Sequence, residues 1–302
     1  PPDARSRTLA SRARPIPGPT SPRRPRPHDP DPPPLPMSER VDLDVASLSH
    51  PGMVRSHNED SVFVDAGAGI AVLADGMGGY NAGEVASGMA TSFIQTELGR
   101  WLDEVGASAT DPEVRRAMDI CVDNANRAIF NAANANPQYS GMGTTLVVLA
   151  FRGTRVLIGH VGDSRAYRLR GGRLMQLTRD HSLLQEQIDA GLITPEQASF
   201  SANKNLVTRA VGVEDTVLLE IHQHEVHPGD LLLLCSDGLS DMLDDETLSQ
   251  LLQGYDSLDE MGAALIAAAN DAGGKDNIAV ILARAPGSPA AATKSWWAPF
   301  RR

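Results

Sequence analysis

The chain has 302 residues, 41% of them hydrophobic and 22% charged, with a formal net charge of −11; that is enough apolar content for one large domain or two ordinary ones. The charge is uneven: residues 1–36 hold seven Arg against three acidic residues, a net of +4, which leaves −15 for the remainder. A body that acidic excludes binding to a phosphate backbone, which needs clustered Lys and Arg, so no nucleic-acid partner is expected. It suits a protein that collects cations. No apolar run approaches the roughly 18 residues needed to span a bilayer. The first residues also lack the apolar central segment of a signal peptide. Cys121 and Cys235 are isolated, without metal-finger spacing, and read as buried reduced thiols in a cytoplasmic protein.

Residues 1–36 are dense in Pro and Arg and bury too little apolar surface to fold, so a disordered arm is expected. The chain begins without Met, and Met37 stands just before the first patterned segment; the expectation is that Met37 is the natural start and that 1–36 are upstream or vector-derived. A single domain is expected over 37–285, followed by a Pro- and Ala-rich tail, 286–302, that carries Trp296 and Trp297.

Short strands are expected at 61–64 and 70–73. A helix is expected at 84–102, with Val85, Met89, Phe93, Leu98 and Trp101 at helical spacing. A second helix follows at 112–135, opened by Asp111-Pro112 as cap and first turn. Strands at 145–151 and 156–161 flank a hairpin, and those at 166–169 and 174–177 flank another. Residues 182–205 read as helical and polar. Strands at 217–222 and 231–235, helices at 245–253 and 257–271, and a strand at 278–283 complete the pattern. Helix pairs around hairpin-linked strands favour antiparallel sheets with helices outside, in one α+β domain, over a parallel βαβ sheet.

Four acidic stretches carry the chemistry: Asn58-Glu59-Asp60, Asp75-Gly76-Met77-Gly78-Gly79, Ser236-Asp237-Gly238 and Gly273-Gly274-Lys275-Asp276-Asn277. Asp163, in Val161-Gly162-Asp163-Ser164-Arg165, makes a fifth. One Asp-Gly pair is an ordinary turn. Ala71 to Gly76 and Leu232 to Gly238, however, share a form: a buried strand that ends in Asp-Gly. Side by side, such strands aim carboxylates at one point, and the cluster repels itself unless a hard divalent cation fills it. His222, His224 and His227 sit at a strand end but meet no ligand-spacing rule and read as solvated. Arg152, Arg155, Arg165, Arg168, Arg170 and Arg173 read as a solvated hairpin surface, with reception of acidic phosphopeptides as the other reading.

Together with Arg55-Ser56-His57, Gly143-Thr144-Thr145 and Thr178-Arg179-Asp180-His181-Ser182, these stretches occur in an order and at a spacing that resembles the metal-dependent phosphatases of the phosphatase 2C-like family, in its bacterial branch. The match covers about 42–284. The resemblance implies a four-layer αββα sandwich, two antiparallel sheets flanked by helix pairs, with a metal site at one edge. It implies that Asp75 bridges two Mn²⁺ or Mg²⁺ ions, that Asp237 and Asp276 complete one shell, and that the Gly76 carbonyl binds the other ion. Glu59 and Asp60 would act through waters, Asp163 with Asp237 would hold a third ion, and Arg55 would grip the substrate phosphate.

Where some members of the family carry a His after the Asp-Gly pair as general acid, this chain has Met77, which cannot donate a proton, so that role stays unassigned. His57 and His181 read as hydrogen-bonding residues. Residues 182–205 correspond to the segment called the flap. The expected activity is hydrolysis of phosphoserine and phosphothreonine in proteins by a monomer that opposes Ser/Thr kinases. A phosphatase of other specificity, acting on small esters or phosphotyrosine, and a non-catalytic phosphoprotein-binding module are the alternatives.

Overall fold

The computed structural model describes residues 43–79, 82–198 and 206–285. The expectations for the arm 1–36, for Met37 as start, for the tail 286–302 and for 199–205 of the flap lie outside those residues.

Among the described residues, eleven strands form two sheets. The first runs β1 (Asp44–His50), β11 (Ile278–Arg284), β10 (Leu231–Cys235), β7 (Arg165–Arg170), β8 (Arg173–Gln176). The second runs β2 (Asp60–Asp65), β3 (Ile70–Met77), β5 (Leu146–Arg152), β6 (Arg155–Val161), β9 (Glu220–Glu225), with the short β4 (Gly143–Thr144) on β3. The pairing is antiparallel throughout.

The two-residue period of a strand explains the layering. In β11, Ala279, Ile281 and Ala283 join Leu73 of β3, Leu149 of β5 and Ile158 of β6 in the core between the sheets. Ile278, Val280 and Leu282 face the other way, against α8 (Leu258–Asp271) and α7 (Asp245–Gln253). Likewise Ile70 and Val72 of β3 and Leu146 and Val148 of β5 meet α1 (Ala82–Phe93) and α3 (Asp111–Ala135). Strands buried on both faces read as unbroken apolar runs, as Leu231 to Cys235 do. The result is the αββα sandwich expected from the sequence. Both cysteines are free and buried, and among the described residues no helix is long and apolar enough to cross a membrane.

Several local expectations need correction. The first helix runs from Ala82 and passes through a π segment, Ile94–Gly99, into α2 (Arg100–Val105). Its core face is Ala82, Ala86, Ala90, Ile94 and Leu98, whereas Val85, Met89 and Phe93 are only half-buried on the adjoining face. The cap of α3 is Thr110, not Asp111: the Thr110 N–H and hydroxyl both donate to Glu113 Oε2, at 2.7 and 2.8 Å, while Asp111 pairs with Arg155. The strand expected at 217–222 begins at Glu220. Within 182–205, helix forms only at α4 (Leu183–Asp189) and α5 (Pro195–Ala198) among the described residues. The hairpin arginines are not a free surface: Arg152 donates to the carbonyls of Gly106 and Ala109, Arg165 pairs with Asp180, and Arg170 with Asp230.

Ile281 tests the packing between the sheets, because it is wholly buried there. Ile281→Ala is expected to lower the unfolding free energy by about 2–5 kcal/mol in urea titrations. A loss below about 0.5 kcal/mol would contradict face-to-face packing at that position.

Candidate metal and phosphate site

All the sequence-selected carboxylates lie at one end of the sandwich. Asp75 ends the buried run of β3, and Asp60 is its direct cross-strand partner at the start of β2. Asp237 opens α6 (Asp237–Ser240), just past the end of β10. Asp276 lies two residues before β11, and Asp163 follows β6 by two residues. The pairing of Cys235 with Val280 brings the β10 end and the β11 start together. The Ser236 hydroxyl then donates to Asp60 Oδ2 at 2.8 Å and ties one sheet to the other at this edge.

The electrostatics record the convergence. Burial pushes the Asp75 carboxyl well above its usual range, and the charges of Asp60, Asp237, Asp163 and Asp276 add to it. Burial likewise raises Asp237, reinforced by Asp163, Asp241, Asp276 and Asp60. Asp60 is pushed up to about 7 and Asp163 to about 6, each chiefly by burial. Glu59 is raised by burial against the opposing pull of Arg55. Buried like charges disfavour ionisation in this way unless a cation compensates them. The donors are all oxygens, and Asp60 Oδ1 is buried with no hydrogen-bond partner among the described residues. Such a set fits a hard divalent cation.

The surrounding backbone is held by neutral polar side chains to which the sequence reading gave no role. Thr144 Oγ1 donates to the Asp75 carbonyl at 2.8 Å, and the Asp75 N–H donates to Thr145 Oγ1 at 3.0 Å. Asn277 Nδ2 donates to the carbonyls of Pro51 and His57, while its Oδ1 accepts from the Glu59 N–H at 2.8 Å. One buried amide therefore fixes the loop that carries Arg55. Gly follows Asp75 for a steric reason sufficient in itself: a Cβ at Gly76 would lie 2.1 Å from the Gly83 carbonyl oxygen and 2.6 Å from that of Glu59. A Cβ at Gly238 would lie 1.9 Å from the Asn277 oxygen. Both glycines let backbone approach backbone where the carboxylates gather.

Arg55 forms a surface ion pair: its Nη2 lies 2.7 Å from Asp276 Oδ2. With Arg55 more than half exposed, 55%, that pair is cheap to exchange for another anion. Asp241, four residues after Asp237, was not anticipated; its charge raises both Asp237 and Asp163. The spacing of one helical turn was the available signal.

A second cluster also escaped the sequence. Ligand atoms of His160, His181 and Glu220 lie within 4.8 Å of one another. Both nitrogens of His181 are already engaged: Nδ1 accepts from the Gly162 N–H at 3.1 Å, which leaves Nε2 protonated and donating to Glu220 at 3.1 Å. His160 stacks on His181 with ring centroids 4.7 Å apart and bonds the Arg179 carbonyl through Nε2. The cluster therefore anchors the Gly162-Asp163 turn to the 178–182 segment, and the hydrogen-bonding reading of His181 is the one its contacts match. His222, from the trio read as solvated, bonds Glu220 at 2.7 Å, and the Nε2 of His224 is buried. His57 is exposed and lends only its carbonyl to the Asn277 network.

Comparison with known proteins shows the family. The family model described as "Protein phosphatase 2C" matches residues 54–283. A Mycobacterium tuberculosis protein named serine/threonine protein phosphatase PstP is 41% identical over 244 residues, 80% of this chain but 45% of its own length. This chain therefore spans less than half of that relative. A Listeria welshimeri serine/threonine phosphatase, stp, is 39% identical over 76% of this chain and 91% of its own length. The crystal structure of the PstP catalytic domain in complex with two manganese ions superposes with a TM-score of 0.70 at 38% identity, covering 80% of this chain and 97% of that one. This chain belongs to the protein phosphatase 2C family.

Proposed function

We propose that the chain is a metal-dependent protein phosphatase that hydrolyses phosphoserine and phosphothreonine with water as nucleophile. The observation that carries this reading is the gathering of Asp60, Asp75, Asp163, Asp237 and Asp276, from separate strand ends, into one self-repelling edge. In this reading Asp75, Asp237, Asp276 and the Gly76 carbonyl hold two divalent ions, Mn²⁺ or Mg²⁺. Glu59 and Asp60 act through waters, and Asp163 with Asp237 holds a third ion. Bound ions of this kind neutralise a phosphate dianion and acidify water enough for attack at phosphorus near neutral pH.

The chain's own residues do the rest. Arg55 exchanges its partner Asp276 for the phosphate, whose two oxygens match the guanidinium fork. Asn277 keeps the Arg55 loop at the cluster, and Thr144 and Thr145 fix the Asp75 backbone. No side-chain nucleophile is needed, and Met77 offers no proton to the leaving oxygen. Phosphoproteins are the substrates, and the enzyme opposes Ser/Thr kinases as a cytoplasmic monomer. The acidic body disfavours nucleic acid.

Three results test this. Wild type is expected to hydrolyse p-nitrophenyl phosphate and phosphothreonine peptides with Mn²⁺ and to stop when the ion is chelated. Asp75→Asn should lose more than about 100-fold in kcat, since even residues behind metal ligands cost up to that much; an Asp75→Asn protein as active as wild type would defeat the reading.

Asn277→Ala leaves the Glu59 N–H and two carbonyls unpaired, so it should cost about 1–3 kcal/mol of stability. It should also lower kcat/KM about 100-fold through misplacement of Arg55. Stability loss with kcat/KM intact would show that the loop does not need this anchor.

Stability should also depend on pH in a direction set by the raised carboxyls. Unfolded carboxyls release protons near pH 4, whereas Asp163 and Asp60 hold theirs to about 6 and about 7. The folded state therefore binds more protons across that window, and stability without divalent ions falls as pH rises from about 4 to about 7. Saturating Mn²⁺ should abolish the slope and raise the melting temperature at pH 8 in calorimetric scans. A metal-free protein most stable at pH 8 would contradict the clustering.

A further inference from the structure

The half-buried face of α1, beside its fully buried one, lines a groove of about 1430 Å³, with His57, Glu84, Val85, Met89, Phe93 and Tyr139 along its walls. The groove begins at the carboxylate edge. Gly79, which closes the Asp75-Gly76-Met77-Gly78-Gly79 run, borders it. The first turn of α1 rests on that run, since a Cβ at Gly83 would lie 2.8 Å from Gly76 and from the Glu59 carboxyl carbon. Glu84 is near enough to Glu59 to help raise its carboxyl. From there Val85, Met89 and Phe93 recur every fourth residue and carry an apolar wall about 12 Å along the helix. An extended peptide covers that distance in three to four residues.

Ala82, Ala86, Ala90 and Ile94 fill the core on the neighbouring face, while Val85 and Met89 pack against that core on one side and stay partly exposed toward the groove on the other. Glu84 is the only carboxylate among the described lining residues, and no Lys or Arg stands among them. The wall thus offers apolar contact and repels an acidic occupant. His57, two residues along the chain from Arg55, and Gly79 line this groove, so it lies beside the place where a phosphorylated residue would be held. On the strength of the phosphatase reading above, we propose that this groove is a specificity subsite that takes an apolar side chain of the phosphoprotein within four residues of the phosphorylated Ser or Thr.

The test uses the full chain with Mn²⁺ and a set of phosphothreonine peptides carrying Leu or Asp at each position within four residues of the phosphothreonine. Wild type is expected to favour Leu over Asp by about tenfold or more in kcat/KM at one such position, mainly through KM. Gly88 supplies the control, because it borders the groove and an added Cβ there meets nothing within 4 Å. Gly88→Leu projects a bulky side chain from the α1 wall into the groove and should lower the Leu-to-Asp ratio several-fold, whereas Gly88→Ala should keep it. Tyr139→Ser, in the groove lining contributed by the 137–140 segment, should also reduce the ratio and serves if Gly88→Leu does not fold.

Equal use of all peptides by an active wild type would overturn the subsite and leave the phosphatase reading standing. A Gly88→Leu protein that still prefers Leu tenfold would also overturn it. So would a Gly88→Leu protein that turns over every peptide faster, because the groove would then be filled by a segment of this chain. Failure of wild type to release phosphate from any ester would defeat the phosphatase reading itself, and the subsite with it.

Discussion

Carboxylates that repel one another, held at one edge by a rigid frame, are the constraint on which the rest of the structure depends. Asp60 and Asp75 face each other across a β-ladder, with Asp163, Asp237 and Asp276 close enough to raise their neighbours. Left to itself such an arrangement is unfavourable, since each ionised group raises the cost of the next. It persists because the strands behind it are fully buried. Leu231 to Cys235 and Ile278 to Ala283 are locked between a helix layer and the opposite sheet. The core is strong enough to hold at its rim a cluster that would otherwise disperse, and a divalent ion turns the same cluster from a cost into a binding site.

The frame fixes the strand ends, but the loops need their own anchors. Asn277 bonds three backbone groups around the Arg55 loop, and His181 pins the Gly162-Asp163 turn from the other side. Arg165, with both carboxylate oxygens of Asp180 within hydrogen-bond range, secures the same turn from β7. These are buried polar groups with satisfied partners, and their geometry limits where the carboxylates can go. Arg55 stands apart. It is exposed and bound by a single ion pair, so it is the part of the site free to change partner.

The legible parts of the molecule were those with a strong one-dimensional signature. Apolar runs ending in Asp-Gly marked β3 and β10 together with their carboxylates, and hairpin turns marked β5 to β8. Features that depend on which face of an element meets which neighbour were not legible. Val85, Met89 and Phe93 have helical spacing suited to a core, yet alanines one position on fill the buried face, and the larger side chains are left half-buried between core and groove. The hairpin arginines looked solvated because their partners, Asp111, Asp180 and Asp230, lie far away or in other elements. The cap of α3 was misplaced by one residue because both Thr110 and Asp111 are good capping residues, and only the reach of Glu113 decides between them. The His160, His181 and Glu220 cluster joins three distant segments, and no spacing rule links them.

The central claim is that these oxygens share divalent cations. Its most direct test is a crystal structure of the chain soaked in Mn²⁺, read by anomalous scattering at the manganese edge. The account expects two strong peaks or more at the edge of the sandwich, each about 2.0–2.3 Å from oxygens drawn from Asp75, Gly76, Asp237 and Asp276, in the range of hard-cation bonds. A map with no anomalous peak among those residues, under conditions in which the protein releases phosphate from its substrates, would contradict it.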